Sequence, residues 1–365
     1  MQKIYRIMDY VFDGISDSDA IDLCLRDAEK ETGKKEILFE GKEFRINRAI
    51  LVCDDTQITI DGCAIVQDDE VFDNVFRGKN MIVDPETPYG VPIDMTPLKN
   101  IKIIGKNGAR ITGTNKPKTG FHSVLKEEQP MNGDFWGWRT HMFSFSLCED
   151  IEIAGLLLEK TMGWAISFDC GHDIYVHDLE IHSNVKNGDG IDFRSGCYNA
   201  IVENIFGYTS DDTVACTALA TDSVVNYPIK NYLYTSEPFA ALRREYNRDI
   251  HDIKIKNIRT GGLHHGVICL VAGGNKVFNI SIEDVHETKE GNRESVVKIY
   301  TGYGSGYTAG DIHDITVKNV TSQRAKYAVQ FVADVKNVSV EKIVQNNPDG
   351  LLMLGAENQE TVTIS

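Results

Sequence analysis

No run of about 18 consecutive apolar residues occurs in the 365-residue chain, so nothing in it reads as a membrane-spanning helix. The N-terminal MQKIYRIMDYVFDGISD carries acidic residues and no sustained apolar stretch, so it lacks the form of a secretory signal. No CxxC pair is present. The eight cysteines, at 24, 53, 63, 148, 170, 197, 216 and 269, are spread singly, and Cys170, Cys216 and Cys269 sit within or beside apolar runs, where a free thiol acts as a small hydrophobe. Reduced thiols and a cytoplasmic setting are expected. Basic residues are short, 38 against 54 acidic, for a net charge of -16. That balance excludes a phosphate-backbone footprint, so no nucleic-acid partner is expected, and an anionic sugar would need a local basic patch. Proline is scarce at 9, and no low-complexity tail or long linker is visible, so residues 1–365 read as one domain.

What the chain does have is 31 glycines and many short Ile/Val alternations, the composition of strands joined by turns. Residues 13–46 read as a cap. An amphipathic helix, with Ser16 or Ser18 at its start and Gly33 as its stop, precedes two short strands around Ile37–Phe39 and Phe44–Ile46. Beyond it an Asn or Asp recurs just ahead of an apolar-polar-apolar triplet, at Asn100, Asp150, Asp173, Asn199, Asp252, Asn279, Asp314 and Asn337. The intervals are 50, 23, 26, 53, 27, 35 and 23 residues. The short ones fit one turn of a solenoid, and the two near 50 fit either one turn with an insertion or two turns with one poorly marked. The expected fold is an all-β, right-handed parallel β-helix with an N-terminal capping helix. A leucine-rich repeat is excluded by the absence of a fixed Leu pattern. Insertions at 114–141, 222–249 and 300–307 break the rhythm. Their aromatic residues, Trp136, Trp138 and Tyr300 among them, and the cations Arg139, Arg243 and Arg244 suit the walls of a sugar-binding cleft.

The chemistry concentrates in NGDGIDFRSGCYNAIVENIFGYTSDDTVAC, residues 187–216. Asp189 and Asp211 are 22 residues apart, close to one coil, which places them in vertical register on neighbouring turns. Crowded carboxylates repel, so one keeps its proton while another stays ionised, and such a pair can serve as general acid and general base. Any single Asp here could equally cap a turn. The grouping of Asp189, Asp211 and Asp212 with Asn187 and two glycines favours function, while Asp192 reads as structural or as a supporting acceptor. His264 and His265 follow on a later coil, and Lys298 stands in an apolar run where its amine must leave the core or meet an anion.

The segments NGDGID, SDD, HHG and VVKIYTG together resemble the four signatures of the polygalacturonase family, glycoside hydrolase family 28. Asn187 and Asp189 match the first, with Gly188 in place of threonine. Asp211 and Asp212 match the second, His265 and Gly266 the third, with His264 in place of glycine, and Lys298 the lysine of the fourth. Val296 stands where the family has arginine. The resemblance implies inverting hydrolysis of a plant-type oligosaccharide, with pectic or galacturonate-containing chains among the candidates, and no metal or cofactor. It makes Asp211 the general acid, Asp189 and Asp212 the water-activating pair, His265 the group that orients the acid, and Lys298 a substrate contact. Arg194, Arg139, Arg243 or Arg244 could stand in for the missing arginine. Two other readings remain: a calcium-dependent lyase or intramolecular glycosyl transferase on the same fold, and a non-catalytic carbohydrate-binding β-helix.

Overall fold

The computed structural model describes residues 3–86, 91–116, 137–219, 236–243, 245–301, 306–332, 334–355 and 362–364. Trp136, Arg244 and most of the 114–141 and 222–249 insertions lie outside them. Among the described residues, twenty-four strands join one parallel sheet that winds as a β-helix. The winding follows from the repeat. Ile101 pairs with Ile151, Ile151 with Ile174, Ile174 with Ala200, Ala200 with Ile253, and Ile253 with Ile280, continuing through Ile315 to Val338. Both intervals near 50 are therefore single coils carrying an insertion.

All eight repeat positions turn the chain through left-handed backbone, with φ between 50° and 57°. Asn and Asp tolerate this region better than other residues with a side chain, because their short polar groups bond locally. Five residues further on a second left-handed bend recurs at Asp178, Asn204, Asn257, Asp284 and Asn319. The two bends build side-chain ladders: Asn204 Nδ2 donates to Asp178 Oδ1 at 2.8 Å, and Asn257 Nδ2 to Asn204 Oδ1 at 2.7 Å. These ladders satisfy polar groups at the corners and leave the coil interior to Ile, Val and Phe. Phe168 and Phe193 stack there at 5.6 Å.

The helix Asp17–Ala28 covers the first coil, with Ser16 Oγ accepting from Asp19 N at 3.1 Å. It buries Ala20, Ile21, Cys24, Leu25 and Ala28. Helical geometry ends at Ala28 with Glu29 as its cap, before Gly33, because the last turn tightens onto the carbonyls of Leu25 and Asp27. A strand at Lys3–Arg6, which no sequence signal marked, pairs with Lys35–Leu38 and extends the sheet at this end. A short helix, Pro238–Leu242, docks on the outer face where Asp169 Oδ2 accepts from Phe239 N at 2.6 Å. All eight cysteines are free thiols, and no described helix is long and apolar enough to cross a membrane.

Candidate active site

One bend of each coil lies just ahead of a short strand, and successive bends stack. Met142 N donates to Trp164 O at 3.0 Å, Ala165 N to Asp189 O at 2.9 Å, Gly190 N to Asp212 O at 2.8 Å, and Thr213 N to His265 O at 3.0 Å. His141, Trp164, Asp189, Asp212 and His265 thus form one column. The partner of Asp189 in register is Asp212, not Asp211. Ile191 pairs with Val214, a coil of 23 residues, and Asp211 falls one step earlier, with its N-H donating to Gly188 O at 3.3 Å. An oxygen from each of Asp189, Asp211 and Asp212 nonetheless lies within 4.8 Å of the others. Asn187 enters the bend at φ 53°, and a Cβ on Gly188 would overlap the hydroxyls of Ser183 and Ser210. That crowding accounts for glycine at the position where the resemblance has threonine.

The three carboxyls sit in different fields. Burial, then repulsion from Asp212, pushes Asp211 up to about 8, against the opposing pull of the Asp212 N-H, Arg293 and Lys186. Burial also works to raise Asp212, but the charge and hydrogen bond of His265 outweigh it and hold this carboxyl below its usual range. Asp189 is driven well above that range by burial first and then by Asp211, Asp192 and Asp212, and its Oδ1 is buried without a hydrogen-bond partner. His265 bridges two acids, with Nδ1 2.6 Å from Asp212 Oδ1 and Nε2 3.3 Å from Glu294 Oε2. A ring so placed can donate to both only when it carries both protons. Lys298 Nζ donates to the same Glu294 oxygen at 3.3 Å, so its amine leaves the core to meet an anion. His264 is 54% exposed and stands 3.7 Å from Asp211 Oδ1, at the rim.

Other expected contacts fall elsewhere. Trp138 is fully buried between the guanidinium groups of Arg77 at 5.0 Å and Arg139 at 4.8 Å, so it presents no face to a sugar. Arg139 itself faces Asp73 at 3.4 Å. Arg194 is buried, donating to Glu237 Oε1 through Nε at 3.1 Å and Nη2 at 2.8 Å while lying 4.9 Å over Trp164. Arg243 is exposed at the end of the Pro238–Leu242 helix. Tyr300 packs against the outer-face patch of Ala215, Ile268 and Leu270, with Lys298 5.2 Å over its ring. Val296 is buried in the apolar core cluster.

Trp164, Glu294 and Arg293 escaped sequence reasoning, and His141, which falls in the 114–141 insertion expected to wall the cleft, was not placed in this column. Trp164 and His141 precede Ile166 and Phe143 by two residues, the offset of Asp189 before Ile191. Glu294 precedes Val297 by three, the offset of Asp211 before Val214 and of His264 before Val267. That common offset was the available signal. Arg293 carried none. It is buried under the site, donating to Thr213 Oγ1 at 2.8 Å, Thr260 Oγ1 at 3.0 Å and the His265 carbonyl, and burial lowers it to about 10. It pins the segments bearing Asp212 and His265 from below.

No protein-family model matches the chain, and no curated protein matches it. Solved structures do. The chain is similar to a hyperthermoactive exopolygalacturonase of Thermotoga maritima, at 16% identity and a TM-score of 0.56 over 100% of this chain and 92% of the other. It is similar to a galactohydrolase of a sulfated galactose/anhydrogalactose polymer, at 11% identity and a TM-score of 0.62 over 97% and 90%. It is also similar to PfbA, a surface adhesin of Streptococcus pneumoniae, at 11% identity and a TM-score of 0.51 over 96% and 93%. What is shared is the fold. A scaffold found in hydrolases and in an adhesin leaves the chemistry to the site.

Proposed function

We propose that the protein is a glycoside hydrolase that cleaves an oligosaccharide by general acid/base catalysis. The observation that carries this reading is the division of labour between adjacent carboxyls. Asp211 keeps a proton near neutrality while Asp212, held by His265, stays ionised. Asp211 is then the acid that protonates the departing sugar oxygen, and Asp212 the base that takes a proton from water. Asp189, driven toward its neutral form, holds that water by a hydrogen bond rather than acting as the main base. Glu294 and Lys298 fix the far side of His265, and Lys298 and Asn187 reach substrate hydroxyls. The resemblance to polygalacturonases supports inversion, with Asp189 and Asp212 sharing one water. Nearest oxygens within 4.8 Å come closer to the spacing of about 5–5.5 Å at which a carboxylate attacks directly. Proton NMR of the first-formed anomer decides between the two. The hydrolase reading itself is tested by screening the protein and Asp211→Asn against pectic, rhamnogalacturonan and neutral plant oligosaccharides. Equal background from both proteins on every sugar would end it.

The same three carboxylates could also hold a divalent cation, which favours a lyase as the second reading. Calcium-dependent release of an unsaturated, ultraviolet-absorbing product would establish that reading instead.

A further inference from the structure

We propose that the site takes the end of a sugar chain rather than its middle, removing one glycosyl unit at a time from the non-reducing end. The inference rests on the hydrolase reading of the same site and names the part of the substrate on which it acts.

Three residues ahead of the inward strand residue, successive coils place Gly163, Gly188, Asp211, His264, Glu294 and Lys326 in one row. Gly163 and Gly188 are buried. The Asp211 side chain is 21% exposed, those of His264 and Glu294 are 54% and 43% exposed, and Lys326 is exposed as well. Asp211 is therefore the first position of the row that solvent reaches. A wall stands on the buried side. The short helical turn Trp138–Thr140 crosses the row there, held by Asn74 Nδ2, which donates to the carbonyls of Trp138 and His141, each at 2.7 Å. A Cβ on Gly163 would lie 3.0 Å from Thr140 Oγ1 and 3.6 Å from the Asn187 carbonyl, so this turn and the Gly163 and Asn187 bends pack against one another. A chain lying along the row has an exit past His264 and none past Gly163.

The closed side is polar within. His141 Nδ1 and Nε2, Asn187 Nδ2, Asp189 Oδ1 and both Asp192 oxygens are buried without a hydrogen-bond partner. They share one neighbourhood: the His141 ring stacks on Trp164 at 4.7 Å, the Arg194 guanidinium lies 4.9 Å over Trp164, and the charge of Arg194 acts on His141, Asp189 and Asp192. Buried polar groups are nearly always satisfied, so such a set calls for a ligand, and sugar hydroxyls, which donate and accept at once, match it. An end unit brings a free hydroxyl where an internal unit carries its next linkage, and only an end unit fits against a wall. The direction of the chain follows from the carboxyls. Water activated by Asp212 adds its hydroxyl to the anomeric carbon of the glycone, while Asp211 gives its proton to the oxygen that departs with the aglycone. Asp189, which holds that water, is one coil nearer the wall than the Asp211 bend. The glycone therefore sits on the closed side, as the non-reducing terminal unit, and the aglycone runs out past His264. Each turn consumes one water and frees one monosaccharide.

The experiment uses pectic, rhamnogalacturonan and neutral plant oligosaccharides carrying a fluorophore at the reducing end. Each is paired with a blocked form, whose non-reducing unit bears an O-methyl group on the hydroxyl that a further linkage would occupy. Product lengths are followed from the first minutes by capillary electrophoresis, and binding by titration calorimetry. The first labelled product should be one unit shorter than the substrate, with monosaccharide accumulating from the start, and the blocked chain should be cut at least about 100-fold more slowly. His141→Phe, which keeps a ring against Trp164 but loses both nitrogens, and Asp192→Ala should each raise KM on the free chain about tenfold. Labelled fragments of several lengths from the outset, equal cutting of blocked and free chains, or an unchanged KM in both variants overturns the inference and leaves the hydrolase reading standing. No cleavage of any chain, with tighter binding of free than of blocked ends, removes the hydrolase and keeps the end-binding site. No cleavage with equal binding, or with none, overturns both.

Discussion

Replacing Asp192 by asparagine should change how stability depends on pH. The carboxyl is 1% exposed with both oxygens unpartnered, and burial raises its folded pKa well above the value of about 3.9 expected in an unfolded chain. Because the folded value is the higher one, stability is fully present below the unfolded pKa and is lost as pH rises toward the folded one. Within that window the folded protein holds one proton that the unfolded chain has released. Each pH unit then costs about 1.4 kcal/mol. Between pH 5 and 7 the wild type should lose stability at up to that slope on account of this group. The amide of the Asp192→Asn variant cannot titrate, so that protein should lose less over the same interval. Its absolute stability at pH 5 is set separately, by how the new amide is accommodated. The measurement is equilibrium urea denaturation at pH 5, 6 and 7, followed by tryptophan fluorescence and far-ultraviolet circular dichroism. Parallel pH dependences in the two proteins would refute the reasoning, since they would mean that Asp192 is ionised and paired in the native state.

The other predictions concern activity. Asp211→Asn should lower kcat by at least about a hundredfold with little change in KM, as expected for loss of a general acid, and steady-state kinetics on the best substrate of the screen checks it. The pH profile of the wild type should fall on the alkaline side as Asp211 loses its proton near pH 8, and on the acid side only below the ordinary carboxylate range, where Asp212 is finally protonated. His265→Ala removes the charge that opposes burial at Asp212, so the acid limb should move upward by about one pH unit or more, with a smaller displacement in Glu294→Gln. Arg293→Met should lower thermal stability, because it leaves Thr213, Thr260 and the His265 carbonyl without their buried donor, and it should lower kcat more than it raises KM. A variant with unchanged kcat would show that the support beneath the bend is dispensable.

The fold was legible because its corners are written in residue type. A left-handed bend recurring once per coil demands Asn or Asp, and the eight marked positions carry that demand openly. The cluster was legible for a related reason: Asp189 and Asp212 occupy the same bend of neighbouring coils, so counting one coil along the chain brings them together. The count misled by a single residue at Asp211, because only the strand pairing of Ile191 with Val214 fixes the register. Trp138 and Arg194 were misplaced for a different reason. Composition suggests aromatic and cationic walls, whereas burial and ion pairing are decided by contacts across coils, with Glu237 lying 43 residues beyond Arg194. Glu294 shares the offset of Asp211 and His264 ahead of its strand, a signal that shows only when the coils are aligned, whereas Arg293 joins no repeat and its role exists only once coils are stacked.

The coils on either side of the 199–252 interval pair as closely as those with no insertion, Ala200 meeting Ile253 directly. The bend ladder therefore fastens the frame independently of what is threaded between its corners. A chain built this way can acquire, lose or exchange its decorations at those corners while its carboxylates keep their spacing, so new specificities could be grafted onto the protein by exchanging segments rather than by rebuilding the centre.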